Sequence, residues 1–428
     1  MTKTKLKRVL GLFDTTVAGI GIILGAGIYA LIGKAAGIAG NAIWLSFVIG
    51  AIVAGLTALS YAELSSAFPK AGAEYVYTGR AFGKRVAFLV NWLLVVGTVF
   101  SVATVSLGFA GYLGYFIDLP FALSAAALII LFTALNIYGV KEAVTIANIG
   151  SVVEVLGLII IIAIGLPHIG SVDYLQVPTG GYVPLFVGAS LLFFAFLGFE
   201  SIPRLAEETK DAERVIPKAT LLSLGISTAM YILVAIVAVS VLPWQQLAAS
   251  DAPLADIANA LVGSKTGMLL AAIALFATAN TVLLMLVTTT RLIYGMSAGG
   301  SLFRRFGNVS VSRRTPWVSA LFLGGLSMVA LFMGDISFLA YSADFSVFFT
   351  FAVVNLAALW LHYKEPNLRR PFVTPRLGNF PIVPMAGAVS CVILAAAAGI
   401  TVIAIGIILA AAGWILYELL KREGLVKG

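Results

Sequence analysis

Charge is scarce in this chain. Of its 428 residues, 11% are Asp, Glu, Lys or Arg, against roughly a quarter in an ordinary soluble domain. A water-soluble globule cannot cover itself with so little polar surface. That excludes a soluble enzyme, a nucleic-acid-binding module and a disordered chain. Cysteine is almost absent: Cys391 stands alone in an apolar run, so no intrachain disulfide can form. The two histidines, His168 and His362, lie far apart, and no His/Cys metal site is expected. Long polar segments are missing too. No stretch resembles a nucleotide-binding domain, so ATP-driven transport would need a separate partner. No obligatory protein partner is evident, and no organic cofactor is implied. What fills the chain instead is apolar: 61% of residues are hydrophobic and the mean hydropathy is +1.05. The composition is that of an all-α, polytopic membrane protein whose surroundings are the lipid bilayer.

Apolar runs of spanning length fall at about 14–34, 41–66, 86–116, 121–140, 145–166, 183–203, 218–242, 266–298, 315–333, 336–362, 382–399 and 401–420. These are twelve expected spans. The last two form one apolar stretch, divided at Gly399 because it is too long for a single crossing. The basic N-terminus runs into a full span with no cleavable signal peptide evident. Charge tests the count. With twelve spans both termini share a side, and 25 of the 27 Lys and Arg fall on that side; only Lys34 and Lys265 fall on the other. The positive-inside rule then makes both termini cytoplasmic in a plasma-membrane protein. The expected organisation is a cytoplasmic N-terminus (1–13), five spans (14–166), five more (183–362), two further spans (382–420) and a cytoplasmic C-terminus (421–428).

Two spans carry breaks. Span 1 reads Gly19-Ile-Gly21-Ile-Ile-Leu-Gly25-Ala26-Gly27-Ile28-Tyr29, with Gly33 following. Span 6 reads Phe193-Phe194-Ala195-Phe196-Leu197-Gly198-Phe199-Glu200-Ser201, with Pro203 after it. Each begins one of two five-span halves, and matched interruptions in corresponding spans point to a substrate site between inverted repeats. Unwound backbone exposes N–H and C=O groups that lipid cannot satisfy. A half-helix N-terminus offers donors to a carboxylate, and free carbonyls suit an ammonium. Close helix packing is the competing explanation for Gly19 and Gly33. The Gly25-Ala26-Gly27 triplet is better suited to a tight backbone cradle.

These segments resemble the amino acid–polyamine–organocation (APC) transporters. Gly25-Ala26-Gly27-Ile28-Tyr29 is similar to that family's G-[SA]-G-I-[FY] motif. Phe193 to Ser201, with Ala206-Glu207-Glu208 to Pro217-Lys218-Ala219, resembles its span 6 signature and the loop after it. Thr290-Arg291-Leu-Ile-Tyr294, Arg314-Thr-Pro316 and Arg370-Pro371-Phe match further along. The Asn-Pro pair common in that loop is Asp211-Ala212 here. The resemblance covers about residues 8–420. It implies a LeuT-like five-plus-five inverted repeat with spans 1 and 6 discontinuous, followed by two C-terminal spans. It also implies a secondary transporter of amino acids, a symporter working by alternating access. By motif position, the substrate carboxylate would meet the N–H groups of Ala26, Gly27 and Ile28 in the cradle begun by Gly25. The α-ammonium would meet carbonyls of Ile23, Phe194 and Leu197, with Phe194 closing from outside. Phe196 and Gly198 complete the expected site. At most two of Phe193, Phe194, Phe196 and Phe199 can face it.

Ionisable residues at bilayer depth are functional candidates. Glu154 lies about ten residues into span 5, near mid-bilayer. A charge there is penalised by several kcal/mol, which favours the protonated carboxyl and suits it to carry a proton. By spacing from Asn148, it falls where some APC members place a lysine that replaces a bound sodium ion near spans 1 and 8. Here the sign is reversed, so Glu154 is expected to take up a proton, to hold Na⁺, or to stay protonated as a structural group. Glu200, just past the span 6 break, is a gating candidate or a cap for exposed N–H groups. Arg204 is expected to snorkel. Asp344, in span 10, is expected to hydrate at an outer vestibule; facing the pocket it would favour cationic substrates. Asn280 reads as an interhelical hydrogen bond. The expected function is proton-coupled transport of neutral L-amino acids. Cationic amino acids or polyamines, and Na⁺ coupling through hydroxyls such as Thr281 and Thr288, are the alternatives. A channel lacks a continuous polar path, and a membrane enzyme lacks clustered His, Cys or carboxylates.

Overall fold

The structure, a computed structural model, describes residues 8–69, 73–139, 141–176, 178, 180–310 and 313–423, with backbone alone at 141–149 and 151. The expected placements of Lys3, Lys5, Lys7, Lys70 and Lys427 lie outside the described residues, as do the side chains of Lys141 and Asn148.

Every apolar run is helical. The first is divided into α1 (Leu12–Ile23) and α2 (Ala26–Ala39). Next come α3 (Ile43–Ala67), a short α4 (Ala73–Phe82), α5 (Lys84–Leu113), α6 (Phe121–Tyr138) and α7 (Lys141–Gly165). The sixth run starts as α8 (Val183–Leu192) and degrades into 3-10 turns at 193–196 and 199–207. Then follow α9 (Ala212–Val241), two short helices α10 (Trp244–Ala249) and α11 (Pro253–Val262), α12 (Ser264–Ala298), α13 (Trp317–Leu331), α14 (Ile336–Lys364), α15 (Ile382–Ala397) and α16 (Ile400–Arg422). Among the described residues, eight helical segments are long and apolar enough to cross a membrane, with α2 and α3 reckoned as one continuous stretch. The α15–α16 junction is Gly399, whose φ of +95° is open to glycine and strained for other residues.

Local chemistry sets the ends. Asp335 caps α14 by accepting from the Phe338 N–H at 2.8 Å. Pro120, Pro243, Pro316 and Pro381 stand just before α6, α10, α13 and α15. Asp211, where the family's Asn-Pro pair is replaced, takes the left-handed conformation (φ +45°) before α9, one that Asn and Asp tolerate.

The helices pack around α5, which contacts α12 and α14, while α3 and α1 both lie against α9. An aromatic column fills the space beside the sixth run: Phe193–Phe348 at 4.6 Å, Phe199–Phe351 at 5.2 Å and Tyr61–Phe351 at 5.7 Å between centroids. Outward-facing Ile130, Val329, Val392 and Ile408 are exposed, as a bilayer-facing surface requires. Polar contacts sort to two ends. At the basic end, ion pairs join Arg80 to Glu365, Arg85 to Glu418, Arg204 to Glu74 and Arg369 to Glu213. The N-terminal backbone joins the same end, Val9 donating to the Glu208 carbonyl at 2.9 Å. At the opposite end, Lys34 pairs with Asp251, the Trp44 indole donates to the Tyr174 carbonyl, and the Tyr115 hydroxyl donates to Asp256.

Candidate functional site

The two breaks meet. α1 ends when Leu24 leaves helical geometry (ψ +59°), and Gly25 runs extended before α2 starts. Near it, the sixth run turns at Leu197 (ψ +137°) and Gly198 (φ +126°). They interlock through glycine. A Cβ on Gly27 would lie 2.7 Å from the Ala195 Cα, and one on Gly198 would lie 2.8 Å from the Ile22 carbonyl oxygen. Gly27 is therefore a packing residue as well as a potential donor. Gly19 and Gly33 are also tight packing positions, against Ser223 of α9 and the Leu247 carbonyl.

Tyr231, on α9, binds the breaks together. Its hydroxyl lies 2.6 Å from the Ile23 carbonyl oxygen and 2.7 Å from that of Ala195. One proton serves two acceptors at the ends of two interrupted helices. The ring is fully buried against Phe196 and Phe47. On the donor side, the Ala26 N–H reaches Thr281 Oγ1 of α12 at 3.3 Å. Thr281 itself donates to the Ala277 carbonyl. Thr288 bonds only within its own helix, to Leu284 and Met285. The N–H groups of Gly27 and Ile28, in the first turn of α2, have no intrahelical acceptor.

The aromatics divide as their helix turns dictate. Phe193, Phe196 and Phe199 are fully buried in ring contacts with Phe348, Tyr231 and Tyr61. Phe196 is thus a wall residue. Phe194 takes part in none of these ring contacts and lies at the break, its carbonyl accepting from the Leu197 N–H at 3.4 Å.

Two expectations change and a third is narrowed. Asp344 does not hydrate at an outer vestibule. It is 0% exposed, its oxygens have no hydrogen bond of good geometry, and the group facing it is the Phe194 backbone N–H. Helix α14 turns it inward, toward the break. Arg204 does not snorkel: its guanidinium forks onto Glu74 at 3.2 and 3.3 Å, because α4 brings a buried carboxylate within reach. Glu200 caps the Gly198 N–H at 2.7 Å, the second of its two expected roles in geometric terms.

Glu154 sits on the other side of the cradle and is 1% exposed. Asn280 Nδ2 donates to its carboxyl at 3.2 Å, so Asn280 does form an interhelical bond. The Tyr29 hydroxyl donates to the Glu154 backbone carbonyl at 2.6 Å, and the Tyr112 hydroxyl to the Tyr29 carbonyl at 2.9 Å. Asn280 and Thr281 are adjacent on α12, so one turn of that helix touches both Glu154 and the start of α2.

Sequence reasoning missed Tyr231, Tyr61, Glu74 and a second buried cluster at the basic end. There Glu63 accepts from the Thr374 N–H and hydroxyl at 2.9 and 2.8 Å and meets Arg370 at 3.3 Å and His362 at 2.7 Å. Burial pulls the Arg370 guanidinium below its ordinary value, and the Glu63 carboxylate opposes that shift. A carboxylate in a polar loop, such as Glu74, gives no sequence sign that it will be buried.

The amino acid permease family profile matches residues 10–416. The chain belongs to the amino acid permease family of the APC superfamily. It is therefore a multi-pass membrane transporter of the amino acid transport class, not an enzyme. The permease is 29% identical to the branched-chain amino acid permease BcaP of Bacillus subtilis, over 98% of this chain and 94% of that one. It is 27% identical to the methylthioribose transporter of the same organism, with the same two coverages. It is also 27% identical to human cationic amino acid transporter 4, over 85% of this chain and 61% of the longer relative.

Proposed function

We propose that this permease is a secondary active transporter of neutral, apolar L-amino acids in the plasma membrane, driven by protons and working by alternating access. In this reading twelve spans form a LeuT-like five-plus-five inverted repeat (14–166 and 183–362) with two added spans (382–420), and both termini are cytoplasmic. The observation that carries it is the meeting of two interrupted helices at the Tyr231 hydroxyl. The substrate carboxylate lies on the first turn of α2, at the N–H groups of Ala26, Gly27 and Ile28, with the helix dipole behind them. Its ammonium meets the carbonyls of Phe194 and Leu197 and that of Ile23, where it replaces one of the two donors the Ile23 oxygen has here, Tyr231 and the Gly25 N–H. Ile23, Phe194 and Leu197 supply an apolar wall, which suits an aliphatic side chain, as does the likeness to a branched-chain permease. Glu154 carries the proton. Its neutral and charged forms differ in their demand on Asn280, and through the adjacent Thr281 that demand reaches the Ala26 N–H. Glu200 and Arg204 act as the gate on the basic side.

Asp344 supports a second reading. A buried carboxylate facing Phe194, with no cationic partner among the described residues, would receive the side-chain amine of a cationic amino acid.

Uptake into proteoliposomes with pH and Na⁺ gradients applied separately tests both. Leucine, isoleucine or valine should accumulate under an inward proton gradient alone. Glu154→Gln should lose that accumulation and keep counterflow exchange, since the amide oxygen still accepts from Asn280. Unchanged accumulation in the variant removes Glu154 from coupling. Lysine or arginine uptake that Asp344→Asn abolishes would favour the second reading.

A further inference from the structure

The described parts of the loop after α12, residues 299–310 and 313–316, are fastened to the bundle at three places. Ser297 Oγ donates to the Phe303 carbonyl, Ser319 Oγ to the Phe306 carbonyl and Thr315 Oγ1 to the Ile137 carbonyl, at 2.7, 2.8 and 2.6 Å. Between this loop and the ends of α6 and α12 lies a cavity of about 180 Å³. Three arginines line it: Arg291 from α12, and Arg313 and Arg314 from the loop. Its floor is polar and buried, made of Asn136, Thr290 and Thr315, with Asn136 Nδ2 donating to Thr290 Oγ1 at 3.0 Å. Among the described residues, none of the three guanidiniums has a carboxylate within ion-pair distance. Arg80, Arg85, Arg204, Arg369 and Arg370 of the basic end are paired; Arg8, Arg214, Arg304, Arg305, Arg376 and Arg422 form no ion pair among the described residues either, but none of them lines this cavity. Arg313 instead stacks on the Tyr138 ring, 3.7 Å from its centroid, which aims the guanidinium without neutralising it. Arg314 is held at φ +56°. That conformation is unfavourable for a residue with a Cβ; here the Arg314 N–H to Ser310 carbonyl bond and the Ser310 N–H to Thr315 carbonyl bond, 2.8 and 2.9 Å, maintain it.

We propose that this cavity is a binding site for a phosphate-bearing anion on the basic face of the permease. Three guanidiniums around one cavity present planar donor forks that match phosphate oxygens, and the buried Thr290 hydroxyl, which accepts from Asn136, keeps a proton to donate. Headgroup depth follows from Tyr138, stacked on Arg313, and Trp317, next to the lining Pro316: both are exposed, and these are the residue types that mark a membrane–water interface. Basic pockets between membrane helices take anionic lipid headgroups, so the phosphate comes either from such a lipid or from free phosphate in the aqueous phase. Its occupation would tie α6 and α13 to α12, the helix that carries Asn280 and Thr281.

The test uses the full-length purified protein in detergent. Retention of phosphatidylglycerol is measured by native mass spectrometry against phosphatidylethanolamine, and inorganic phosphate is titrated as the competing probe. Arg291→Gln with Arg314→Gly removes two charges from the cavity, and the glycine relieves the strained φ, so the loop should keep its fold. Arg304→Gln with Arg305→Gln removes two charges from the same face outside the cavity. The cavity variant should lose phosphatidylglycerol binding by roughly tenfold per arginine, since each charge-assisted hydrogen bond is worth about that factor. The control should bind as wild type. Lipid retained against millimolar phosphate identifies the headgroup as the source, and displacement by phosphate identifies the free anion. Equal losses in the two variants, or no loss in the cavity variant, would overturn the site. Arg313→Gln, on the exposed stacked side chain, serves as a second variant should the double substitution lower the melting temperature.

Discussion

Tyr231 shares one hydroxyl proton between the carbonyl oxygens of Ile23 and Ala195. Both acceptors belong to interrupted helices, so each lacks part of the ladder that would otherwise satisfy it. Removing the donor takes the Tyr231 bond from the Ala195 carbonyl and leaves the Ile23 carbonyl with the Gly25 N–H, 2.8 Å away, at the point where the halves meet. Tyr231→Phe should therefore destabilise the protein by about 1–3 kcal/mol, read as a lower melting temperature in detergent, and should reduce uptake. The ring stays, so contacts with Phe47 and Phe196 persist and the loss isolates the hydroxyl. A variant that melts and transports like wild type would show that the hydroxyl is dispensable. At Glu154 the argument differs: burial and a single amide donor, not a counter-charge, define its surroundings.

At the level of elements, the crossing of α1–α2 with the sixth run is the feature on which the site depends. Two glycines permit it, and they are not equivalent to their neighbour Gly25. A side chain on Gly27 would strike the Ala195 backbone, which cannot rotate away. A Cβ on Gly25 would sit 3.3 Å from Thr281 Oγ1, a hydroxyl that can turn. Gly27→Leu should accordingly lower the yield of folded, monodisperse protein, at a cost at or above the upper end of the about 1–3 kcal/mol typical of overpacking. Gly25→Ala should fold, lose the Ala26 to Thr281 bond and transport more slowly. Size-exclusion profiles with uptake assays separate these outcomes. Normal folding of Gly27→Leu with transport abolished would instead assign Gly27 to substrate contact alone.

For the whole molecule, the ion pairs place α4, the loop after the sixth run, loop 365–381 and the end of α16 at one end, and the Val9 to Glu208 backbone bond places the N-terminal segment there too. Lys34, Asp251 and Asp256 lie at the other. Cysteine labelling on a Cys391→Ala background reads this directly, and Cys391 is itself buried. An impermeant thiol reagent should modify Asp251→Cys in intact cells. Arg304→Cys should react only in inside-out vesicles. Reaction of Asp251→Cys from inside alone would reverse the orientation.

What the sequence alone determined follows from averages and from local breaks. Apolar runs report that a segment is a helix for lipid, and all of them are helices here. The Gly25-Ala26-Gly27 triplet and Gly198 are poor helix interiors wherever they stand, so both interruptions were legible, as was the split at Gly399. The one-sided Lys and Arg pattern was legible because charge avoids the bilayer. Direction was not. Hydropathy does not say toward which neighbour a side chain turns, so Asp344 was expected to meet water and is buried beside Phe194. Arg204 was expected to meet the interface and meets Glu74. Glu154 and Asn280 were each singled out, but their bond joins residues 126 positions apart. Tyr231 lies 208 positions from Ile23 and looked like any tyrosine in an apolar run. Only the tertiary structure decided these pairings, because they arise where helices distant in the chain cross, and burial in lipid or protein makes each polar group bond to whatever that crossing brings near.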